Sequence, residues 1–117
     1  RDKLTGIHLH NTRGQGLANV MAALDLGLDT LDSSLGGLGG CPFAPGASGN
    51  IITEDLVFLL DSMGLKTGID LEKLMAVRDI VTEAIPDEQM YGFTPDAGLP
   101  KGYVQTVNGG TGWGTGN

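Results

Sequence analysis

Two histidines separated by one residue, His8 and His10, form the clearest chemical pair in the sequence. They lie in LTGIHLH, residues 4–10, where the alternation predicts a β-strand with both histidines on one face. Strand geometry places their Cβ atoms about 6–7 Å apart, so both imidazoles can reach one metal ion. The alternative is a pair of structural or surface histidines.

The glycine-rich stretch GGLGGCPFAPGASGN, residues 36–50, contains the only cysteine and six glycines. Glycine allows positive φ and close approach of the backbone to a ligand, which favours a functional loop over the alternative of a flexible linker. Cys41 could be a metal ligand, a nucleophile, an acid/base group or an inert thiol. Its position among glycine N–H groups favours a chemical role.

Asn50 ends this stretch and can offer its amide oxygen at the sheet edge where α/β proteins build their sites. Two imidazoles with oxygen ligands and water suit Mg²⁺ or Mn²⁺, whereas structural Zn²⁺ would require more thiolates. Residues His8, His10 and Asn50 are therefore the candidate metal ligands.

Three further polar residues are candidates for substrate binding or for support of the site. Arg13 and Gln15 follow the histidine strand and could reach a substrate carboxylate or phosphate, the alternative being ordinary helix-surface polarity. Glu54 suits the first turn of a helix, where it complements the helix dipole, and it is also near enough to Asn50 to join a hydrogen-bond network.

Apolar spacing predicts the elements that position these residues. After the histidine strand we expect a helix over 16–28, a strand over 28–35, a helix over 53–64 and a helix over 70–85. Asn11 or Thr12, Thr53 and Asp70 are the predicted helix caps. The order is a βαβα unit, an α/β arrangement with parallel strands.

The sequence divides into residues 1–85 and a Gly- and Pro-rich tail, 86–117, predicted to be irregular and partly mobile at its end. We expect this tail to pack through Tyr91, Phe93, Tyr103 and Trp113.

Composition excludes several kinds of partner. The net charge of −7 and pI near 4.4 disfavour nucleic acid and anionic membrane surfaces. A single cysteine and no membrane-length apolar run indicate a reducing, aqueous compartment. Because the chain opens on Arg1 within a strand-like pattern, we expect residues to precede it.

Several motifs together resemble the C-terminal part of 3-hydroxy-3-methylglutaryl-CoA lyases, over residues 4–85. They are HLHNTRGQ at 8–15, DSS at 32–34, GLGGCPFAPGASGN at 37–50 and TEDL at 53–56. Claisen-condensing synthases of the same superfamily share the HxH strand but look different at Cys41 and Pro42, which favours a lyase.

The resemblance implies a TIM (β/α)8 barrel, of which this chain supplies the last two strand-helix units, a C-terminal helix and an irregular tail. It implies that His8, His10 and Asn50 bind the divalent cation and that Cys41 is catalytic. The remaining catalytic residues would precede Arg1. Asn11 and Arg13 depart from the family's usual Asp and Tyr, which leaves room for a different 3-hydroxyacyl-CoA substrate.

The implied reaction is retro-Claisen cleavage to acetyl-CoA and acetoacetate, or to a homologous keto acid. The resemblance also implies an acyl-CoA substrate, a homo-oligomer and a location in the cytoplasm, or in the mitochondrial matrix of a eukaryote. The 117 residues alone are expected to be inactive. A condensing synthase and a non-catalytic binding or assembly module remain the alternatives.

Overall fold

The computed structural model describes residues 5–39 and 49–105. Two extended segments, residues 5–10 and 28–34, lie side by side in parallel, as predicted. Ile7 pairs with Leu31 in a parallel bridge, and its N–H donates to the carbonyl of Thr30 at 3.0 Å. The pairing consists of isolated bridges in the described residues, not of the continuous strands that the alternation predicted.

Residues 49–52 explain why the ladder is interrupted, because they bond to both extended segments at their C-terminal ends. Asn50 forms an antiparallel bridge with His10, and Ile52 forms a parallel bridge with Ser34. Residues 49–52 thus form backbone hydrogen bonds with groups that the two extended segments would otherwise use to pair with each other.

Helix α1 spans Gly16–Asp25 and follows a single 3-10 turn, Thr12–Gly14. Gln15 occupies the N-cap position of α1, so the prediction of Asn11 or Thr12 as its cap was wrong, although the Asn11 side chain accepts a hydrogen bond from the N–H of Gly16 at 3.0 Å. Gly27, at φ 82°, turns the chain out of the helix, which ends two residues earlier than the predicted stop near this glycine.

Helix α2 spans Thr53–Ser62, and the prediction of Thr53 as its N-cap was wrong. Ile52 occupies the cap position, and the Thr53 hydroxyl instead shares a 2.6 Å hydrogen bond with Ser33. Helix α3 spans Leu71–Ala84 and confirms the predicted Asp70 cap, whose carboxylate accepts from the Lys73 N–H at 3.2 Å.

The tail begins without regular structure and then forms a short helix α4, Phe93–Ala97. The predicted packing of the tail is confirmed for Tyr103, which lies on Phe58 with ring centroids 5.5 Å apart, and is wrong for Phe93, which is 80% exposed, and for Tyr91, which is 40% exposed. Trp113 lies outside the described residues. The tail is fixed mainly by polar contacts, since Asp55 accepts from the N–H groups of Phe93 and Thr94.

Tyr103 donates its hydroxyl to the buried carboxylate of Asp61 on α2. Burial first, and then the hydrogen bond to Asp61 and the negative charge of that residue, raise the pKa of the Tyr103 hydroxyl above its ordinary value. This contact holds the end of the described tail to the body of the chain.

The core lies between the extended segments and the helices. Val20, Ile51 and Leu56 form its buried centre, around which pack Leu9, Leu17, Leu24, Leu31 and Leu60. Leu9 therefore faces the helices, and alternation places His8 and His10 on the opposite face. Among the described residues, no helix is long and apolar enough to cross a membrane.

Candidate metal centre and active site

The side chains of His8 and His10 meet directly. Their Nε2 atoms lie 3.1 Å apart, and the two rings stand edge to face, at 77° with centroids separated by 5.0 Å. Both imidazoles therefore present their outer nitrogen atoms to the same small region.

Asp32 orients the first of these rings. Its Oδ1 atom lies 2.5 Å from Nδ1 of His8, and it comes from the neighbouring extended segment. A carboxylate at Nδ1 favours the tautomer that carries its proton there, which leaves the Nε2 lone pair of His8 available to a ligand.

Asn50 is the third candidate metal ligand, and its backbone is joined to that of His10 by an antiparallel bridge. Its Nδ2 atom donates to the carbonyls of Leu38 at 2.8 Å and Gly39 at 3.3 Å, and these two bonds fix which way the amide points. Its Oδ1 atom is buried and, within the described part of the chain, accepts no hydrogen bond. A buried oxygen without a partner is costly unless something else binds it.

The separation of the two histidine nitrogens suits a divalent cation. Two ligands about 2.1 Å from one octahedral ion and at right angles to each other lie about 3 Å apart, close to the separation of the two Nε2 atoms. Across residues 5–39 and 49–105, no three His, Cys, Asp or Glu side chains gather as a metal-binding group. The described donor set is therefore two imidazoles and one amide oxygen, which leaves positions for oxygen ligands from elsewhere.

Arg13 lies at the exposed surface beside this edge and lines a cavity of about 440 Å³. Its φ of 62° is the one positive value at a non-glycine residue in the described ranges. The carbonyl of Arg13 accepts from Nε2 of Gln15 at 3.2 Å, so Gln15 braces the backbone of Arg13. Non-glycine residues held in this region are often found at functional sites.

Glu54 occupies a different place from the histidine pair. It is fully buried in the first turn of α2, accepts from the N–H of Gly36 and forms an ion pair with Arg78 at 2.5 Å. Its link to Asn50 runs through the backbone of residues 36–39.

Cys41, the predicted catalytic residue, lies outside the described residues.

Two of these residues were not among the sequence candidates. Asp32 had a usable signal, since it lies in the polar alternation of the second extended segment, directly beside the histidine segment. Arg78 had no such signal in the sequence, because it is 24 residues from Glu54 and occupies a position of α3 that the apolar spacing predicts to be exposed.

The chain was compared with known proteins. The family model described as HMGL-like matches residues 2–81. The chain is 52% identical over 79 residues to the cytoplasmic 3-hydroxy-3-methylglutaryl-CoA lyase of Rattus norvegicus, covering 68% of this chain and 23% of that protein. It is 51% identical, over 68% of its length, to the mitochondrial hydroxymethylglutaryl-CoA lyase of Mus musculus, of which it covers 24%.

A solved HMG-CoA lyase from Acinetobacter baumannii, in complex with coenzyme A and 3-methylmalate, has a TM-score of 0.71 and 48% identity to this chain. The match covers 80% of this chain and 30% of that structure. The chain thus spans about a quarter of the length of the curated relatives it matches. The resemblance expected from the motifs is confirmed: the chain belongs to the HMGL-like family.

Proposed function

We propose that this chain is the C-terminal part of a metal-dependent carbon–carbon lyase that cleaves 3-hydroxy-3-methylglutaryl-CoA or a close 3-hydroxyacyl-CoA. The observation that carries the proposal is the buried Oδ1 of Asn50, which accepts no hydrogen bond within the described residues and belongs to a segment whose backbone is bridged to His10 of the converging histidine pair. The chain belongs to a family whose relatives are named lyases, which favours lyase chemistry for a cation held by these residues.

His8, His10 and Asn50 would hold a Mg²⁺ or Mn²⁺ ion. When bound, such an ion polarises the hydroxyl and carbonyl oxygens of a substrate and lowers the pKa of the hydroxyl. Asp32 keeps His8 in the tautomer that presents its Nε2 lone pair, through the contact at Nδ1. The Leu38 and Gly39 carbonyls accept from the Asn50 Nδ2 atom and so keep its Oδ1 turned away from their own backbone.

In the cleavage itself, a base removes the proton of the 3-hydroxyl, the alkoxide collapses to a ketone and the adjacent C–C bond breaks. The electron pair passes to the thioester, which becomes an enolate. We propose that the thiol of Cys41 gives its proton to that enolate, which yields acetyl-CoA. The base that starts the reaction is expected in the part of the barrel that precedes Arg1.

Arg13 is the proposed anion contact of the substrate. Its guanidinium has no hydrogen-bond or ion-pair partner among residues 5–39 and 49–105, and it lines a cavity large enough for part of an acyl-CoA. A planar fork of donors suits a carboxylate or a phosphate. Coenzyme A bound to the Acinetobacter baumannii relative supports an acyl-CoA substrate for this protein as well.

The proposed parent protein is a TIM-barrel homo-oligomer located in the cytoplasm or the mitochondrial matrix, and the relatives' names include both cytoplasmic and mitochondrial lyases. Because the chain spans about a quarter of those relatives, its extended segments would need the remaining strands to close a barrel. We therefore expect the isolated 117 residues to have no lyase activity, and turnover by the isolated chain would disprove this.

The direct test uses the intact parent protein with Mg²⁺ or Mn²⁺ and follows release of acetyl-CoA from 3-hydroxy-3-methylglutaryl-CoA and its homologues. Failure to cleave any of them would reject the lyase. Formation of a C–C bond from acetyl-CoA and a 2-oxo acid would instead support a condensing synthase.

A second measurement tests whether the histidine pair binds the cation. Mn²⁺ is titrated into the wild-type parent and into its His8→Ala/His10→Ala variant, with Asn19→Ala on the exposed face of α1 as a control. We expect the double variant to lose binding and the control to keep it. Equal affinity in all three proteins would remove the histidine pair from the site.

A further inference from the structure

A buried ion pair joins Glu54 of α2 to Arg78 of α3. The carboxylate of Glu54 has no exposed surface, and the side chain of Arg78 on α3 is only 11% exposed. Two buried charges of this kind each need the other, since removing one leaves the second without compensation. The pair has no direct contact with His8 or His10, so its effect on the site has to pass through other residues.

The first step of that path is Gly36. Its N–H donates to both oxygens of Glu54, at 3.0 and 3.1 Å, and its carbonyl accepts from the N–H of Tyr91 at 2.8 Å. Arg78 closes the ring, because the nitrogen that binds Glu54 also donates to the Tyr91 carbonyl at 2.7 Å. Both backbone polar groups of Gly36 are thus fixed by the pair and by the tail segment that Arg78 holds.

The second step runs from Gly36 to Asn50. Gly36 and Gly37 form a tight turn whose end is closed by the Leu38 N–H donating to Leu35 at 3.2 Å. The carbonyls of Leu38 and Gly39 then hold the Nδ2 atom of Asn50. A displacement of the turn would carry those two carbonyls with it, and the amide of Asn50 would lose the bonds that define its orientation.

We infer that Arg78 is a positioning residue that acts through Glu54 and residues 36–39 to aim the Asn50 oxygen at the divalent cation. The inference rests on the proposed function, since it concerns the proposed cation ligand. Arg78 touches neither the cation nor the substrate. Its contribution is to hold the Glu54 carboxylate in place, so that Gly36 and the carbonyls of Leu38 and Gly39 keep the positions that orient Asn50.

The test measures Mn²⁺ affinity by calorimetry on the intact parent protein, with no substrate present. Arg78→Met should weaken binding about tenfold, the low end for loss of a group that supports a metal ligand. Lys73→Met removes a cation from an exposed position of the same helix and should leave the affinity unchanged.

A double variant tests the route. Glu54→Gln keeps an oxygen for the Gly36 N–H but needs no counter-charge, so Glu54→Gln/Arg78→Met should recover much of the affinity lost in Arg78→Met. Such a recovery would trace the loss of affinity to the uncompensated charge of Glu54. Equal weakness in the single and double variants would show that Arg78 does not act through Glu54.

Hydrogen exchange supplies a readout at the turn itself. In Arg78→Met the peptide that contains Gly36–Leu38 should exchange faster than in the wild type, and in Lys73→Met it should not. If Arg78→Met does not fold, Arg78→Gln takes its place, because its neutral amide is polar but leaves the charge of Glu54 without compensation. Unchanged exchange and unchanged affinity in Arg78→Gln would then overturn the inference.

The outcomes separate this inference from the proposed function. Normal Mn²⁺ binding by the wild type together with normal binding by Arg78→Met overturns the positioning role alone. A wild-type parent that binds no divalent cation overturns the metal site and the positioning role together. A parent that binds Mn²⁺ but cleaves no acyl-CoA rejects the lyase, while the effect of Arg78 on Mn²⁺ affinity is still measured.

Discussion

Oδ1 of Asp32 lies 2.5 Å from Nδ1 of His8, on the opposite side of the ring from the nitrogen that faces His10. Asp32→Asn keeps the shape of the side chain but removes its charge, so we expect the affinity of the parent protein for Mn²⁺ to fall about tenfold. Calorimetric titration measures this. Asp29→Asn, an exposed acid of the same segment, is the matched control, and equal affinities in both variants would contradict a role for Asp32.

Arg13 should contribute to substrate affinity more than to the chemical step. Arg13→Ala in the parent protein is expected to raise KM for the acyl-CoA about tenfold with little change in kcat, as for a contact made equally in the ground and transition states. Steady-state kinetics with Lys101→Ala, an exposed cation of the tail, provide the comparison. A drop in kcat at constant KM would assign Arg13 to the transition state instead.

Gly49 is required for two separate reasons that a pair of variants can distinguish. Its φ is 90°, and a Cβ there would lie 2.4 Å from the carbonyl oxygen of Gly37. Gly64 has a similar φ of 80° with nothing within 4 Å of the corresponding position. Gly64→Ala should therefore lower the free energy of unfolding only by the backbone strain, about 1–2 kcal/mol, whereas Gly49→Ala should lower it further because of the clash.

Urea unfolding of the parent protein measures both variants, and Mn²⁺ titration adds a second criterion. Gly49 precedes Asn50, so the clash with Gly37 should also weaken cation binding, which Gly64→Ala should leave intact. Equal losses of stability in the two variants would mean that the backbone near Gly49 moves aside at no cost.

Tyr103 should make stability depend on pH in the alkaline range. Its pKa is raised in the folded state, so its contribution is fully present below the ordinary pKa of about 10 and is lost as the pH rises beyond that value. Tyr103→Phe should lower the free energy of unfolding by about 1–3 kcal/mol at neutral pH and flatten the alkaline decline.

Denaturant unfolding between neutral and alkaline pH tests this, with Tyr91→Phe as the control because the Tyr91 side chain is 40% exposed. An alkaline decline as steep in Tyr103→Phe as in the wild type would show that other groups are responsible for it.

Sequence reasoning predicted the pairing of the two candidate histidine ligands better than the contacts of the residues around them. The i, i+2 spacing of His8 and His10 was enough to place them on one face, because a strand has a period of two whatever surrounds it. The contact between Glu54 and Arg78 spans 24 residues, and no local pattern encodes which cation reaches a buried acid. Glu54 was recognised as a first-turn acid, but its burial depends on where α3 and the tail pack.

The elements show the same division between local and distant causes. The Asp70 cap was predictable because its bond to Lys73 is made within one turn. Thr53 was misassigned because its hydroxyl is taken by Ser33, 20 residues away. The exposed position of Phe93 also follows from a distant contact, since Asp55 holds the backbone of this residue and leaves its ring outside.

Two adjacent acids lie in the first turn of α2: Glu54 accepts from the N–H of Gly36, and Asp55 accepts from backbone N–H groups at the start of α4. At the start of α3, the Gln105 side chain accepts from the N–H of Leu71 and donates to the carbonyl of Ile69. A chimera that replaced residues 86–105 with the tail of a relative would remove partners from both helix starts at once. Such an exchange would succeed only if the new tail carried matching donors and acceptors. We therefore expect residues 86–105 and helices α2 and α3 to co-evolve, so that a substitution on one side of these contacts requires a compensating substitution on the other.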